Sequence, residues 1–288
     1  MLPYHNSCYA MGTRLNVIIV EPLLDCDLIF DEIVREVDRL EAKLSRFSES
    51  SDVYWINQNA GYRSIQIDAE MGNILSLCID YYERAHGAFD ITLPSKSHTR
   101  KTYRAPASQK YSRLSDDILF DSERLTVAFP NSSIQLDLGG FGKGYAMQKI
   151  KSILKENSVQ NALVSFGESS ILATGRHPYG DCWKIGIENS WHFTRSPCVF
   201  ELTDQSISTS GFQRRTDGTV GYHIINPLTL RPVKATSSIT VQSSDPLEAE
   251  ILSTALFASL DADTAFLDNF SDYHILRINY NEDQLMES

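Results

Sequence analysis

Between residues 139 and 144, four of six positions are glycine, in the run Leu136-Asp137-Leu138-Gly139-Gly140-Phe141-Gly142-Lys143-Gly144-Tyr145-Ala146. No other stretch restricts the fold as strongly, because backbone without Cβ atoms reaches conformations and close approaches that other residues cannot. The run sits between a predicted strand, Ile134 to Leu138, and a predicted helix. At such a junction the free N–H groups of the helix start favour an anion, and Lys143 adds a point charge. The spacing is neither that of a P-loop nor G-x-G-x-x-G, so it specifies no mononucleotide or dinucleotide fold. The same residues also serve as a tight strand-to-helix turn without a ligand, and spacing alone leaves both readings open.

On the N-terminal side, Leu15 to Val20 reads as a short buried strand. Ile33, Val37, Leu40, Leu44 and Phe47 then recur at three- and four-residue steps, which predicts an amphipathic helix of about five turns. Met71, Ile74, Leu75, Cys78 and Tyr82 predict a second helix, which Gly87 is placed to end. Pro94 to Ser112 is a long polar loop and a candidate lobe boundary. Beyond it, Ala162 to Phe166 and several β-like runs up to Val241 follow at short intervals. Helices and strands neither alternate strictly nor segregate, so the expected class is α+β rather than a doubly wound parallel sheet.

Lys plus Arg number 26 against 37 Asp plus Glu, a net charge of −11 that argues against a nucleic-acid partner. No run approaches the roughly 18 to 20 apolar residues of a transmembrane segment, and Met1 to Thr13 lacks the basic-then-apolar pattern of an export signal. The expected location is cytoplasmic, or periplasmic if an export segment has been removed. The five cysteines are scattered, with no C-x-x-C pair or zinc spacing, as expected in a reducing compartment.

Apart from the glycine run, Asp245-Pro246-Leu247-Glu248 is a helix start, with an N-cap aspartate, proline at the first helical position and glutamate three residues after the cap. On that helix Glu250, Ser253 and Thr254 fall on one face and offer the hard oxygen ligands that magnesium takes. The same three residues also suit a solvated polar stripe. Asp90, just beyond the second helix, and Ser208-Thr209-Ser210-Gly211 read as turns. His223 lies in a β-like run, where a histidine is either structural or a base working near neutral pH.

Taken in order, these segments resemble the flavin transferase family often called ApbE, the FAD:protein FMN transferases. The matching run starts at Tyr9-Ala10-Met11-Gly12-Thr13, Leu40-Glu41, Ser45-Arg46-Phe47, Ile56-Asn57 and Gly87-Ala88-Phe89-Asp90. It continues through Leu136 to Ala146, Trp183-Lys184-Ile185-Gly186-Ile187, Ser208 to Gly211 and His223-Ile224-Ile225-Asn226-Pro227. Ala249-Glu250 and Thr254-Ala255 close it, so the resemblance spans nearly the whole chain.

The resemblance implies one catalytic chain of two interleaved α/β lobes, T-fold-like, with the FAD site between them. It implies Mg2+-dependent transfer of the FMN half of FAD to a Thr or Ser hydroxyl of a target flavoprotein, with release of AMP. Met11, Phe47, Ala88, Phe89, Asp90, Asp137 and Lys143 would line the FAD site. Gly140, through its carbonyl, with Glu250, Ser253 and Thr254 would hold the metal, and His223 or Asp90 would take the acceptor proton. Hydrolysis of FAD to FMN and AMP, and flavin binding without catalysis, are the alternatives. The chain departs from the family pattern at Glu250, where Asp is usual, at Gly167-Glu168-Ser169-Ser170, where a glycine pair is common, and at Leu230, where Gly is usual.

Overall fold

A computed structural model of the chain describes residues 3–20, 25–94, 118–130, 132–187, 198–214, 220–260 and 264–280. Its main sheet has seven strands: β1 (Tyr4–Ala10), β2 (Thr13–Ile19), β3 (Ala162–Phe166), β4 (Ser170–Thr174), β5 (Ser206–Gly211), β6 (Ser237–Ser243) and β7 (Tyr273–Asn279). The strands lie side by side in chain order, and every neighbouring pair is antiparallel. Helices α1 (Cys26–Leu44), α2 (Asp52–Asn59), α3 (Ala69–Arg84) and α4 (Gly142–Glu156) fall between β2 and β3, and α5 (Pro246–Ala258) falls between β6 and β7. The architecture is therefore α+β, as expected.

Alternation along the strands sends side chains to two separate cores. Leu15, Val17, Ile19, Ala162, Val164, Phe166, Leu172, Ile239 and Val241 join the apolar faces of the helices in the larger one. On the opposite face, Ile171, Ala173 and Ile207 pack with Trp183, Phe200 and Leu202 of the antiparallel ribbon Trp183–Ile187 and Cys198–Leu202. No helix among the described residues is long and apolar enough to cross a membrane.

Three expectations change in detail. The α1 series stops before Phe47: the Ser45 N–H donates to the Glu41 carbonyl (3.1 Å), and Ser45 Oγ accepts from the N–H groups of Phe47 and Ser48 (both 3.2 Å). This local cap ends the helix and leaves the Phe47 ring 76% exposed. The strand expected over Ile134 to Leu138 covers Ile134–Leu136, paired with Thr92–Pro94. Ser208 to Gly211 is not a turn but the end of β5, because the β6 ladder runs along all four residues, with β4 on the other side of Ser208, and overrides the local turn preference of the serines. The candidate lobe boundary over 94–112 lies, apart from Pro94, outside the described residues. The second helix matches its expectation: Met71, Ile74, Leu75 and Cys78 are buried in α3, and Gly87, at φ +80°, donates its N–H to the Tyr82 carbonyl (2.9 Å).

The turn between Ile225–Asn226 and Arg231–Pro232 closes with Leu230 where the family pattern has glycine. Leu230 takes φ +52°, its N–H donates to the Asn226 carbonyl (2.8 Å), and Asn226 Oδ1 accepts from the Leu228 and Thr229 N–H groups (both 2.9 Å). A left-handed conformation costs a β-carbon residue about 1–2 kcal/mol, part of which glycine returns through its freer unfolded chain. Leu230→Gly is therefore expected to stabilise the fold by about 0.5–1 kcal/mol. Thermal unfolding of the two proteins measures this, and a less stable variant would contradict the strain.

Candidate active site

The site is built where α5 lies against the helix-side face of β4 and β5. Asp245 caps α5 by accepting the Leu247 N–H (2.8 Å), and α4 holds the cap through Gln148 Nε2, which donates to both Asp245 oxygens (2.8 and 3.0 Å). Lys151 Nζ donates to the Ser244 carbonyl (2.8 Å). Glu248 does not serve the cap: it pairs with Arg84 of α3 (3.0 Å), and burial pushes its carboxyl above the ordinary value against the pull of that guanidinium. Two helices, α3 and α4, thus fix the start of α5 and, with it, the residues one to two turns on.

The helix is buried nearly all round, so the solvated-stripe reading of Glu250, Ser253 and Thr254 does not hold. Glu250 is 4% exposed, and a carboxylate at that depth requires partners. It has three: Lys143 Nζ donates to Oε1 (2.6 Å), and Oε2 accepts from Ser170 Oγ (2.7 Å) and Ser208 Oγ (2.8 Å). Lys143 Nζ also donates to Ser170 Oγ (3.0 Å). Ser253 Oγ donates to the Glu250 carbonyl (3.0 Å) and is 3.0 Å from Ser210 Oγ, which in turn is 3.4 Å from Thr254 Oγ1. Pairing of Ser208 with Ser170 across β4 and β5 puts both hydroxyls on the face that meets α5.

The glycine run brings α4 to this network. Gly140 sits against Thr254: a β-carbon there would stand 3.1 Å from Thr254 Cγ2 and 3.3 Å from Oγ1. At Gly144, a β-carbon would stand 2.7 Å from Glu250 Cβ and 2.9 Å from the Leu247 backbone, so glycine is what allows α4 and α5 to touch. The resulting cradle has one carboxylate, hydroxyls and the adjoining Gly140 backbone as donors. These are all hard oxygens, a set that fits magnesium. No group of three or more His, Cys, Asp or Glu side chains among the described residues forms an alternative metal site.

Asp137 pairs with Arg46 (3.2 Å) and accepts the Gly139 N–H (2.9 Å), and the Arg46 guanidinium lies 4.5 Å from the centre of the exposed Phe47 ring. Phe47 is thereby tied to the rim of the glycine turn. The Met11 N–H, at φ +47°, donates to Glu41 Oε2 (2.6 Å). Ala88 and Phe89 are buried, and Phe89 reaches the place a Gly140 β-carbon would take, at 3.6 Å. Asp90 Oδ1 accepts the Thr92 N–H (2.7 Å) and hydroxyl (2.6 Å), so it turns the chain as well as lying near the site. Burial, with the Asp90 charge added, pushes the Cys78 thiol well above its ordinary value and keeps it a protonated core group. His223 is exposed on the irregular segment leading into Ile225–Asn226.

Sequence reasoning read Ser208 and Ser210 as part of a turn and gave no place in the site to them, to Ser170 or to Asn57, which clamps the glycine run by bonding both the N–H (2.7 Å) and the carbonyl (3.0 Å) of Leu136. The available signal was the alternation Ser206, Ser208, Ser210, a polar face with period two. An open cleft lies at the start of α2, lined by Glu49, Asp52, Trp55 and Asp68 among others, and Lys43 holds two of its three carboxylates, Asp52 and Asp68.

A lysine and a glycine turn facing a helix that carries a carboxylate and hydroxyls define a protein shaped to take a phosphate-bearing ligand. The chain belongs to the ApbE family, whose model matches residues 11–274. Among its relatives is an FAD:protein FMN transferase of Treponema pallidum, 26% identical over 284 residues that cover 88% of this chain and 78% of the relative. One from Haemophilus influenzae is 26% identical over 247 residues, 79% of this chain and 71% of the relative. The crystal structure of the ApbE protein of Thermotoga maritima superposes with a TM-score of 0.80 at 22% identity over 100% of both chains. The flavin transferase ApbE of Vibrio cholerae gives 0.79 at 21% identity, covering 98% of this chain and 95% of that one.

Proposed function

We propose that this chain is an FAD:protein FMN transferase: it binds FAD and moves the FMN half to a Thr or Ser hydroxyl of an acceptor flavoprotein. Family membership and the names of the relatives support the activity. The observation that carries it to particular atoms is the convergence of Lys143, Gly140, Glu250 and Thr254 on one cradle. In this reading the FAD diphosphate lies at the glycine turn, where backbone N–H groups and Lys143 meet its charge. Phe47, on the rim beside the Arg46 guanidinium, offers an aromatic face to the flavin or adenine ring.

The acceptor oxygen attacks the FMN phosphorus, the bond to the AMP oxygen breaks, AMP leaves with the electron pair, and the hydroxyl proton passes to His223 or Asp90. Gly140 through its carbonyl, Glu250 and Thr254, with Ser253 behind them, would hold Mg2+. Bound there, the ion supplies charge neutralisation at the diphosphate oxygens.

The test incubates the protein with FAD, Mg2+ and an acceptor domain carrying the family's target motif, and reads flavin fluorescence on the acceptor after denaturing electrophoresis. Covalent label is expected, and Thr254→Ala is expected to reduce it by about a hundredfold. Free FMN released without acceptor would make the chain a hydrolase. FAD binding with neither product would make it a flavin-binding protein without catalysis.

A further inference from the structure

The carboxylate that the cradle would offer a cation is already in use. Both hydroxyl bonds to Glu250 fall on Oε2, from Ser170 (2.7 Å) and Ser208 (2.8 Å), and Oε1 is taken by Lys143 Nζ at 2.6 Å. Without that carboxylate the cradle has only neutral oxygens, from Thr254 and the Gly140 backbone, and neutral oxygens alone hold a hard divalent cation weakly. Glutamate, one methylene longer than aspartate, has the reach to meet Lys143 from across the α4–α5 contact. We propose that Lys143 and the divalent cation compete for Glu250 Oε1, so that Lys143 regulates metal loading as well as contacting substrate. The lysine stem is flexible and its ammonium is a movable point charge. A diphosphate at the glycine turn offers it anionic oxygens in exchange, which frees Oε1. Cation and FAD then bind with positive and reciprocal coupling.

The FAD half of this inference rests on the transferase reading, whereas the competition itself does not. Its test measures Mn2+ binding to the full chain by electron paramagnetic resonance, without nucleotide. The wild type is expected to hold Mn2+ at least tenfold more weakly than Lys143→Gln. In a Glu250→Gln background, Lys143→Gln is expected to change nothing, because the contested oxygen no longer carries charge. A general repulsion between lysine and metal would raise affinity equally in both backgrounds, and that result, or a wild type that binds as tightly as Lys143→Gln, overturns the proposal.

Should Lys143→Gln fail to fold, Glu250→Asp decides the matter by drawing the carboxylate back from Lys143 by about one bond. Tenfold tighter Mn2+ binding than wild type is expected, and equal or weaker binding overturns the proposal. Saturating FAD, corrected by an FAD-only blank, is expected to bring wild-type affinity to that of Lys143→Gln, and unchanged affinity overturns the coupling. Flavin fluorescence in the same sample reports whether FAD is bound, so failure of the coupling and failure of the transferase reading are told apart.

Discussion

Glu250→Ala is expected to destabilise the protein by about 3 kcal/mol and to lower its melting temperature by roughly 10 °C. The substitution removes the acceptor of three hydrogen bonds at once and leaves Lys143, itself mostly covered, without its counter-charge. Removing one partner of a buried pair is costly because the other remains desolvated, and this loss is a large part of the 5–15 kcal/mol that holds a typical domain together. Glu250→Gln keeps the volume and one carbonyl acceptor, so its loss should be clearly smaller. Thermal or urea unfolding of the three proteins measures the order wild type, Gln, Ala. An alanine variant as stable as wild type would mean that the network is not closed in the way described.

The second large effect is expected at Gly144. Alanine is the better helix former by about 1 kcal/mol, so an isolated α4 would gain from Gly144→Ala. In the folded chain the added methyl meets Glu250 Cβ at 2.7 Å, Leu247 Cα at 2.9 Å and the Pro246 carbonyl at 3.1 Å, none of which moves by side-chain rotation. The helices must separate, at an overpacking cost of about 1–3 kcal/mol beyond the propensity gain. The separation shifts Glu250 relative to Lys143, and a displacement near 1 Å reduces a positioned reaction by about a hundredfold. Gly142→Ala is the control. Its methyl meets nothing closer than Leu44 Cδ1 at 3.8 Å, so stability should stay near wild type. Equal stability of the two variants in thermal unfolding would refute the close-contact argument.

The helices were legible because their apolar periods are local, as in Met71, Ile74, Leu75 and Cys78, and because Asp245-Pro246 marks a start by chemistry that needs no distant partner. The centre of the site was legible only in part. Spacing put Glu250, Ser253 and Thr254 on one face, yet whether that face met solvent or core depended on the burial of the whole helix. The partners of Glu250 lie 107, 80 and 42 residues away, at Lys143, Ser170 and Ser208, and no periodicity relates positions so far apart. Ser208 to Gly211 misled for the same reason: the residues have turn chemistry, and only pairing with the distant β6, joined at Ser208 by β4, makes them a strand. Leu230 shows the converse, since the Asn226 bonds hold it at a φ of +52° that its own side chain disfavours.

The two cores on opposite faces of the sheet separate the chain's capacity for change from its chemistry. Along β4, Ser170 and Leu172 face the helices while Ile171 and Ala173 face the ribbon, and along β5, Ser206 and Ser208 alternate with Ile207 in the same way. Adjacent codons therefore answer to different demands. The ribbon-side residues can be exchanged among apolar types of similar volume while the serine oxygens beside Glu250 stay in register, so a lineage could rebuild one surface of this protein and inherit its reaction intact.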